Sequence, residues 1–295
     1  MIKREKLEEI LKYNESHTDA TTVEFFAITY ETLARYKRLS RALAPKAPKI
    51  LVFDTENSPL EAYIWNTRVF NVNVNPTQIK NEWFMLTWSA KWLLDSEIMH
   101  DMLSSKEALA GNDSRLITGL WKLFDEADIV IAHNAHEFDV SMANTKFLLQ
   151  GHTPPSPYRI IDTLQVARRN FSFTYNKLSY LAKMLGLEGK IDTDFELWID
   201  CMKGKKKALK EMLEYNDRDV LLLEEVYIKL RPWIRSHPNL NIIGGTEMKC
   251  PSCGSEDIKP RGQYTTNAYS YDSYLCLDCG AYSRKTRTNL VSLAR

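Results

Sequence analysis

Two carboxylates stand two residues apart at the end of an apolar run, Ile50-Leu51-Val52-Phe53-Asp54-Thr55-Glu56-Asn57. On an extended strand Asp54 and Glu56 project to the same face, so like charges meet beside a segment apolar enough to be a buried central strand. Such a pair is costly there unless a cation lies between the acids. Carboxylate oxygens suit hard divalent ions, and the chemistry expected of this pair is a Mg²⁺ or Mn²⁺ site.

A second group of ligand types lies near the other end of the chain. Cys250-Pro251-Ser252-Cys253-Gly254 and Cys276-Leu277-Asp278-Cys279-Gly280 are two C-x-x-C knuckles, each followed by glycine. That spacing lets the thiolates of Cys250, Cys253, Cys276 and Cys279 surround one Zn²⁺ as a tetrahedron, and it reads as a zinc ribbon over residues 241–295. Four thiolates leave no position open for water, so this ion would be structural. With so few core-sized residues, the ribbon is expected to need the metal to fold. The fifth cysteine, Cys201, stands alone, which is not the pattern of a secreted disulfide framework.

The elements that must position these groups follow from periodicity. Strand-like runs cover Trp83 to Ser89 and Glu97 to His100, after an irregular segment from Tyr63 to Gln78. A helix over Ser114 to Glu126 precedes an apolar strand, Asp128 to Ala132. That strand runs into His133-Asn134-Ala135-His136-Glu137-Phe138-Asp139, which puts Asp139 at a helix start just past a strand, where open α/β sheets place ligands. Ile160-Ile161-Asp162 is a short strand, and helices follow over Thr163 to Arg169, Leu178 to Leu185, and as a long pair from Lys206 to Trp233. In Tyr215-Asn216-Asp217-Arg218-Asp219 the four-residue spacing sets Tyr215 and Asp219 on one helix face, with Asp217 directed elsewhere. Antiparallel strands followed by alternating helices and strands predict a mixed α/β sheet.

In order, Phe53-Asp54-Thr55-Glu56, Asn134-Ala135-His136-Glu137-Phe138-Asp139 and Tyr215-Asn216-Asp217-Arg218-Asp219 resemble the three motifs of the DEDD exonucleases, the third in its tyrosine form (DEDDy, DnaQ-like). Stretches from Ile161-Asp162-Thr163-Leu164 through Asn176-Lys177-Leu178 to Val220 resemble the YprB-like, bacteriophage-encoded members, and the likeness spans Ile50 to Pro238. The resemblance implies an RNase H-like fold and removal of nucleotides from 3′ ends with two divalent cations. Asp54 would bridge both ions, with Glu56 and Asp219 holding the one that carries the attacking water and Asp139 helping to hold the other. Tyr215, neutral at pH 7, would orient that water. Related enzymes use a histidine as base; here the third motif supplies a tyrosine, which leaves His133 and His136 to substrate contact or structure.

Upstream, residues 1–44 resemble a helix-turn-helix. Lys3 to Tyr13 has helical spacing, Asn14 to Asp19 is a polar break, and a short helix then reaches a tight turn at Ala27-Ile28. Thr29 caps a second helix that carries Arg35, Lys37, Arg38 and Arg41. Arg35 and Arg38 would meet DNA; the alternative is a helical hairpin packed on the central domain or on a partner. Residues 45–49 form a stiff proline-containing linker, and residues 50–240 form the exonuclease domain. Asn134 and Lys177 are further candidates for nucleic-acid contact, Lys177 because Phe171, Phe173 and Tyr175 beside it can stack on unpaired bases. The run Lys203-Gly204-Lys205-Lys206-Lys207 reads as a solvated turn.

A net charge of +1 excludes a uniformly basic coating protein, so phosphate contacts must come from local patches. No run of apolar residues is long enough to span a membrane, and the charged N-terminus does not resemble a signal peptide. The expected location is the cytoplasm, or the host cytoplasm for a phage-encoded protein. The expected substrate is DNA, single-stranded or at 3′ ends, with RNA possible and a replication protein a possible partner. The rival readings are a ribonuclease or structure-selective endonuclease on the same metal site, and a non-enzymatic DNA-binding adaptor. Four acids retained together argue against the adaptor.

Overall fold

The apolar run becomes β1 (Ile50–Asn57), the middle strand of a five-stranded sheet in the computed structural model, which describes residues 4–34, 48–65, 74–187, 193–244, 248–267 and 269–285. A small hairpin follows, β2 (Glu61–Ala62) with β3 (Ile79–Asn81). Next come β4 (Met85–Trp92), β5 (Met99–Met102), β6 (Ile129–Ala132) and β7 (Arg159–Asp162). The main sheet is ordered β5-β4-β1-β6-β7. Its first three strands are antiparallel neighbours, and β6 and β7 run parallel to β1. Beyond it, β8 (Ile258–Thr265), β9 (Ser270–Cys276) and β10 (Tyr282–Arg284) make a second, antiparallel sheet. This is a mixed α/β sheet flanked by helices, as the sequence predicts.

The two faces of β1 meet different helices. Phe53 reaches Phe124 of the helix Ser114–Glu126 edge to face, 4.9 Å between ring centres, and that helix buries Leu116, Ile117 and Leu120 beside it. The neighbours Asp54 and Glu56 face the other way, toward the long helix Lys206–Leu230. Pairing of β1 with β4 sets Glu56 opposite Thr87, Asp54 opposite Ser89 and Val52 opposite Lys91. The polar side chains of this row bond to the long helix: Thr87 to Asn216 (3.1 Å), Ser89 to Asp217 (2.6 Å), and Lys91 to Glu224. Lys91 and Glu224 are both buried, and the Leu94 amide also donates to Glu224.

Several boundaries depart from the sequence reading. Strands β4 and β5 sit later than predicted, because pairing to Leu51 carries β4 through Lys91 to Trp92. The predicted long helical pair is one continuous 25-residue helix with a short 3₁₀ turn, Arg231–Trp233, at its end. A further helix, Phe195–Met202, packs against it. Lys203 and Lys205 of the basic run turn back on Glu196 and Asp200. Cys201 is fully buried, its thiol pushed up to about 12 by burial and then by nearby carboxylates, so it is a core thiol.

The described chain divides into two compact units, residues 1–47 with 243–245 and residues 48–242 with 246–295. In the first, a helix covers Arg4–Ser16 and a second Asp19–Phe25. The expected polar break is therefore mostly helical, the Thr18 hydroxyl capping the second helix by accepting from Thr21. Ala27 adopts a left-handed φ of 50°, the conformation that makes glycine usual at such a turn. Thr29 then accepts from the Thr32 amide at the start of a third helical stretch, 30–34. Ile10 and Leu33 form the core of this unit with Leu11, Val23, Phe26 and Ile28. Arg35 and Arg38 lie outside the described residues.

Lys91→Met should strand the Glu224 carboxylate in the core and cost about 3–5 kcal/mol, most of which a second change, Glu224→Leu, should recover. Urea unfolding of the two variants beside the parent checks this; a single variant as stable as the parent would refute it.

Candidate metal centres

Ligand oxygens of Asp54, Glu56 and Asp219 all lie within 4.8 Å of one another. Asp54 and Glu56 come from the same face of β1, and Asp219 comes from the long helix that covers this face. Asp139 is the first residue of the helix Asp139–Leu149 and is buried. One of its carboxylate oxygens accepts from both the amide (3.2 Å) and the hydroxyl (2.8 Å) of Thr55. It is not within the close group of three, yet its charge also acts to raise Asp54.

The electrostatics are those of crowded like charges. Burial pushes Asp54 well above the usual carboxylate range, and Asp139, Glu56 and Asp219 raise it further. Asn216 opposes the shift by donating to the Asp54 carboxylate at 2.7 Å. Burial also pushes Asp139 up to about 6 against the two Thr55 hydrogen bonds. Tyr215, buried against the Trp198 ring, hydrogen-bonds to Asp219; its phenol is raised by burial first and by Asp219 and Glu56 next, so it stays protonated. Asp217, two residues from Asp219, faces Ser89 and His100 instead of the cluster.

Asn216 is a residue of the site that the motif reading passed over. It is fully buried, holding Asp54 with its amide nitrogen and Thr87 with its amide oxygen. Nothing in the local sequence distinguishes it from other helix asparagines. The available signal was the polar alternation Thr87-Ser89-Lys91, which marks a sheet face that must be answered by polar groups.

The second motif is built by backbone geometry. Asn134 takes a left-handed φ of 66°, and its amide donates to Asp162, which also accepts from Leu164 and Gln165 as the cap of the helix Thr163–Asn170. The Asn134 side-chain oxygen is buried without a hydrogen-bond partner. His133 is bonded at both ring nitrogens, to the Thr163 hydroxyl and the Asn176 carbonyl, each at 2.8 Å. Burial lowers its pKa, so the ring is neutral, with Nε2–H donating to Asn176 and Nδ1 accepting from Thr163. His136 is exposed, as is Lys177.

The family model described as the RNase_H superfamily matches residues 52–231, which contain all four acids, Tyr215 and Asn216. The chain belongs to the RNase H superfamily. No curated protein matches it. Membership points to nucleic-acid processing and makes a divalent ion the expected occupant of a carboxylate cluster. The donors fit such an ion: three close carboxylate oxygens, with the negative charges of Asp139, Glu56 and Asp219 all acting on Asp54.

The second centre of this RNase H superfamily chain is chemically distinct. Sulfurs of Cys250, Cys253, Cys276 and Cys279 lie within 4.8 Å of one another, with Cys250–Cys279 at 3.7 Å and Cys253–Cys276 at 3.6 Å. These separations far exceed a disulfide bond of about 2.05 Å. They match the edge of a tetrahedron with metal–sulfur bonds of about 2.3 Å, near 3.8 Å. Burial acts to raise the Cys276 thiol, but amides of Cys279 and Asp278 and the neighbouring thiols bring it down to about 7. The group is joined to the sheet domain by the Leu240 amide, which donates to Pro251; nearby, Tyr227 of the long helix bonds to His237 at 2.8 Å. Burial raises the Tyr227 phenol, which also lies close enough to feel Cys253 and Cys279.

A carboxyl raised by folding holds its proton more tightly folded than unfolded, so its contribution to stability is greatest below the ordinary value of 3.8 and is lost as pH rises through about 6. Without divalent ions the midpoint of thermal unfolding should therefore fall between about pH 4 and pH 6.5 relative to an Asp139→Asn variant. Added Mg²⁺ should restore it more at the higher pH. Melting curves of both proteins across that range, with and without Mg²⁺, check the sign; a Mg²⁺ effect independent of pH would contradict it.

Proposed function

We propose that the protein is a metal-dependent 3′→5′ exonuclease acting on DNA, with Asp54, Glu56, Asp139, Tyr215 and Asp219 as its catalytic residues. The observation that carries the reading is the meeting of Asp54, Glu56 and Asp219 at the end of a central strand, with Asp139 adjoining, in a superfamily that processes nucleic acid. Two bound Mg²⁺ or Mn²⁺ ions would polarise a phosphodiester, activate water and stabilise the leaving 3′-oxyanion. Asp54 would be shared between the ions, Glu56 and Asp219 completing one site and Asp139 the other. Tyr215, protonated and hydrogen-bonded to Asp219, is fitted to orient the attacking water and not to take its proton. Asn216 would hold the Asp54 carboxylate in register.

The four thiolates would carry one structural Zn²⁺ in a zinc ribbon. The N-terminal helices, with a left-handed Ala27 and a Thr29 cap, support a helix-turn-helix that contacts DNA or a protein. Asn134, the first residue of the second motif, is a further candidate contact for the substrate strand.

Digestion of 3′- and 5′-labelled single strands, duplexes and RNA with Mg²⁺ or Mn²⁺ tests the reading. Stepwise shortening from the 3′ end is expected, and Asp54→Asn should slow it about a thousandfold or more. Internal cuts would instead favour an endonuclease, and binding without cleavage an adaptor. Metal analysis should find about one zinc per chain. Cys279→Ser should lose that zinc and lower the thermal midpoint; unchanged metal content would remove the ribbon assignment.

A further inference from the structure

The sheet of β8, β9 and β10 has one face that the nuclease reading leaves without a task. Antiparallel pairing sets Tyr264 opposite Tyr271, Arg284 opposite Ser273, and Lys259 and Tyr282 either side of Leu275. Directly paired residues share a face, so three tyrosines, an arginine and a lysine lie together. The Arg284 guanidinium lies over two rings at once, 4.4 Å from the centre of Tyr271 and 5.0 Å from that of Tyr264. Tyr269, in the turn before β9, continues the row at 6.1 Å from Tyr271.

Two features distinguish this from ordinary packing. The rings are open: Tyr264 is 52% exposed, Tyr269 48% and Tyr282 62%. The charge is one-sided as well. Asp272 belongs to the opposite face, where it pairs with Lys285 at 3.3 Å, and among the described residues neither Lys259 nor Arg284 has a carboxylate partner. A surface of exposed rings interleaved with unneutralised cations complements a polyanion that carries flat, apolar bases. Unpaired strands offer such bases, whereas a duplex hides their faces within its stack.

We infer that this face is a stacking platform for single-stranded nucleic acid, with Tyr264, Tyr271 and Tyr269 receiving bases and Arg284 and Lys259 meeting phosphates. This rests on the reading of the chain as a nuclease, because a strand held here is the form a 3′ end must take to be trimmed. Every base has a π face, so the platform reads no sequence, and it accepts DNA and RNA strands alike.

The test uses the full chain carrying Asp54→Asn, so that the probe survives, and fluorescence anisotropy with short labelled oligodeoxyribonucleotides, oligoribonucleotides and a duplex. Tyr264→Ala with Tyr271→Ala should weaken single-strand binding about tenfold or more and leave the duplex nearly unchanged. Tyr264→Phe with Tyr271→Phe should keep binding within about twofold, because the rings remain. Arg284→Gln should weaken binding and flatten its salt dependence by about one phosphate contact. Should the alanine pair lose zinc or unfold, Arg284→Gln, which touches no cysteine, decides alone. Binding unchanged in Arg284→Gln and in a folded alanine pair, or lost equally for strand and duplex, would overturn the inference. Hydrolysis is scored separately with Asp54 intact. Ribbon-dependent binding without hydrolysis defeats the nuclease reading and spares the platform; hydrolysis with ribbon-independent binding does the reverse.

Discussion

Mutual repulsion among buried carboxylates is the constraint around which this molecule is built. Asp54 carries a charge that burial opposes and that Asp139, Glu56 and Asp219 oppose again, at a place where apolar packing would be cheaper by several kcal/mol. The fold holds the acids there by dividing them among elements that are rigid for other reasons. β1 is clamped by strands on both sides, the helix bearing Asp139 starts against Thr55, and the long helix is tied to β4 by Thr87–Asn216, Ser89–Asp217 and Lys91–Glu224. The strand and helix that carry Asp54, Glu56 and Asp219 are thus held by contacts that do not depend on those charges, while Asp139 is held through its own carboxylate by Thr55.

What could be read from the chain alone followed from the strength of local patterns. The helix Ser114–Glu126 carries a clean apolar face and was legible to the residue, as was Asp139 at the start of its helix. The paired carboxylates and paired cysteines were legible because so few chemistries tolerate such groupings. Where the signal was non-local, reading failed. Asn216 acts on Asp54 across 162 residues of chain, and nothing at position 216 announces its partner. The limits of β4 were missed because Lys91 looks like a strand end until the buried Glu224 that neutralises it is seen. The single long helix was read as a pair because polar residues interrupt its apolar stripe, and those residues bond to a sheet face that is itself polar.

The two candidate centres divide chemistry by ligand softness. Carboxylate oxygens at the strand end suit ions that exchange readily and keep open positions for water and phosphate, whereas four thiolates close their shell. One chain can therefore hold a working ion and a permanent one without either site competing for the other's metal.

The long helix joins those centres. Asp219 and Tyr227 are eight residues apart on it, about 12 Å along the axis, and Tyr227 lies close enough to feel Cys253 and Cys279. The nuclease sheet and the cysteine module consequently do not meet through a flexible tether that recombination could cut cleanly. A gene fusion that exchanged the C-terminal module for another would leave the Leu240 amide without the Pro251 carbonyl it donates to. The two parts are therefore expected to have diverged as one inherited block, with substitutions at the end of the helix compensated by changes around the knuckles.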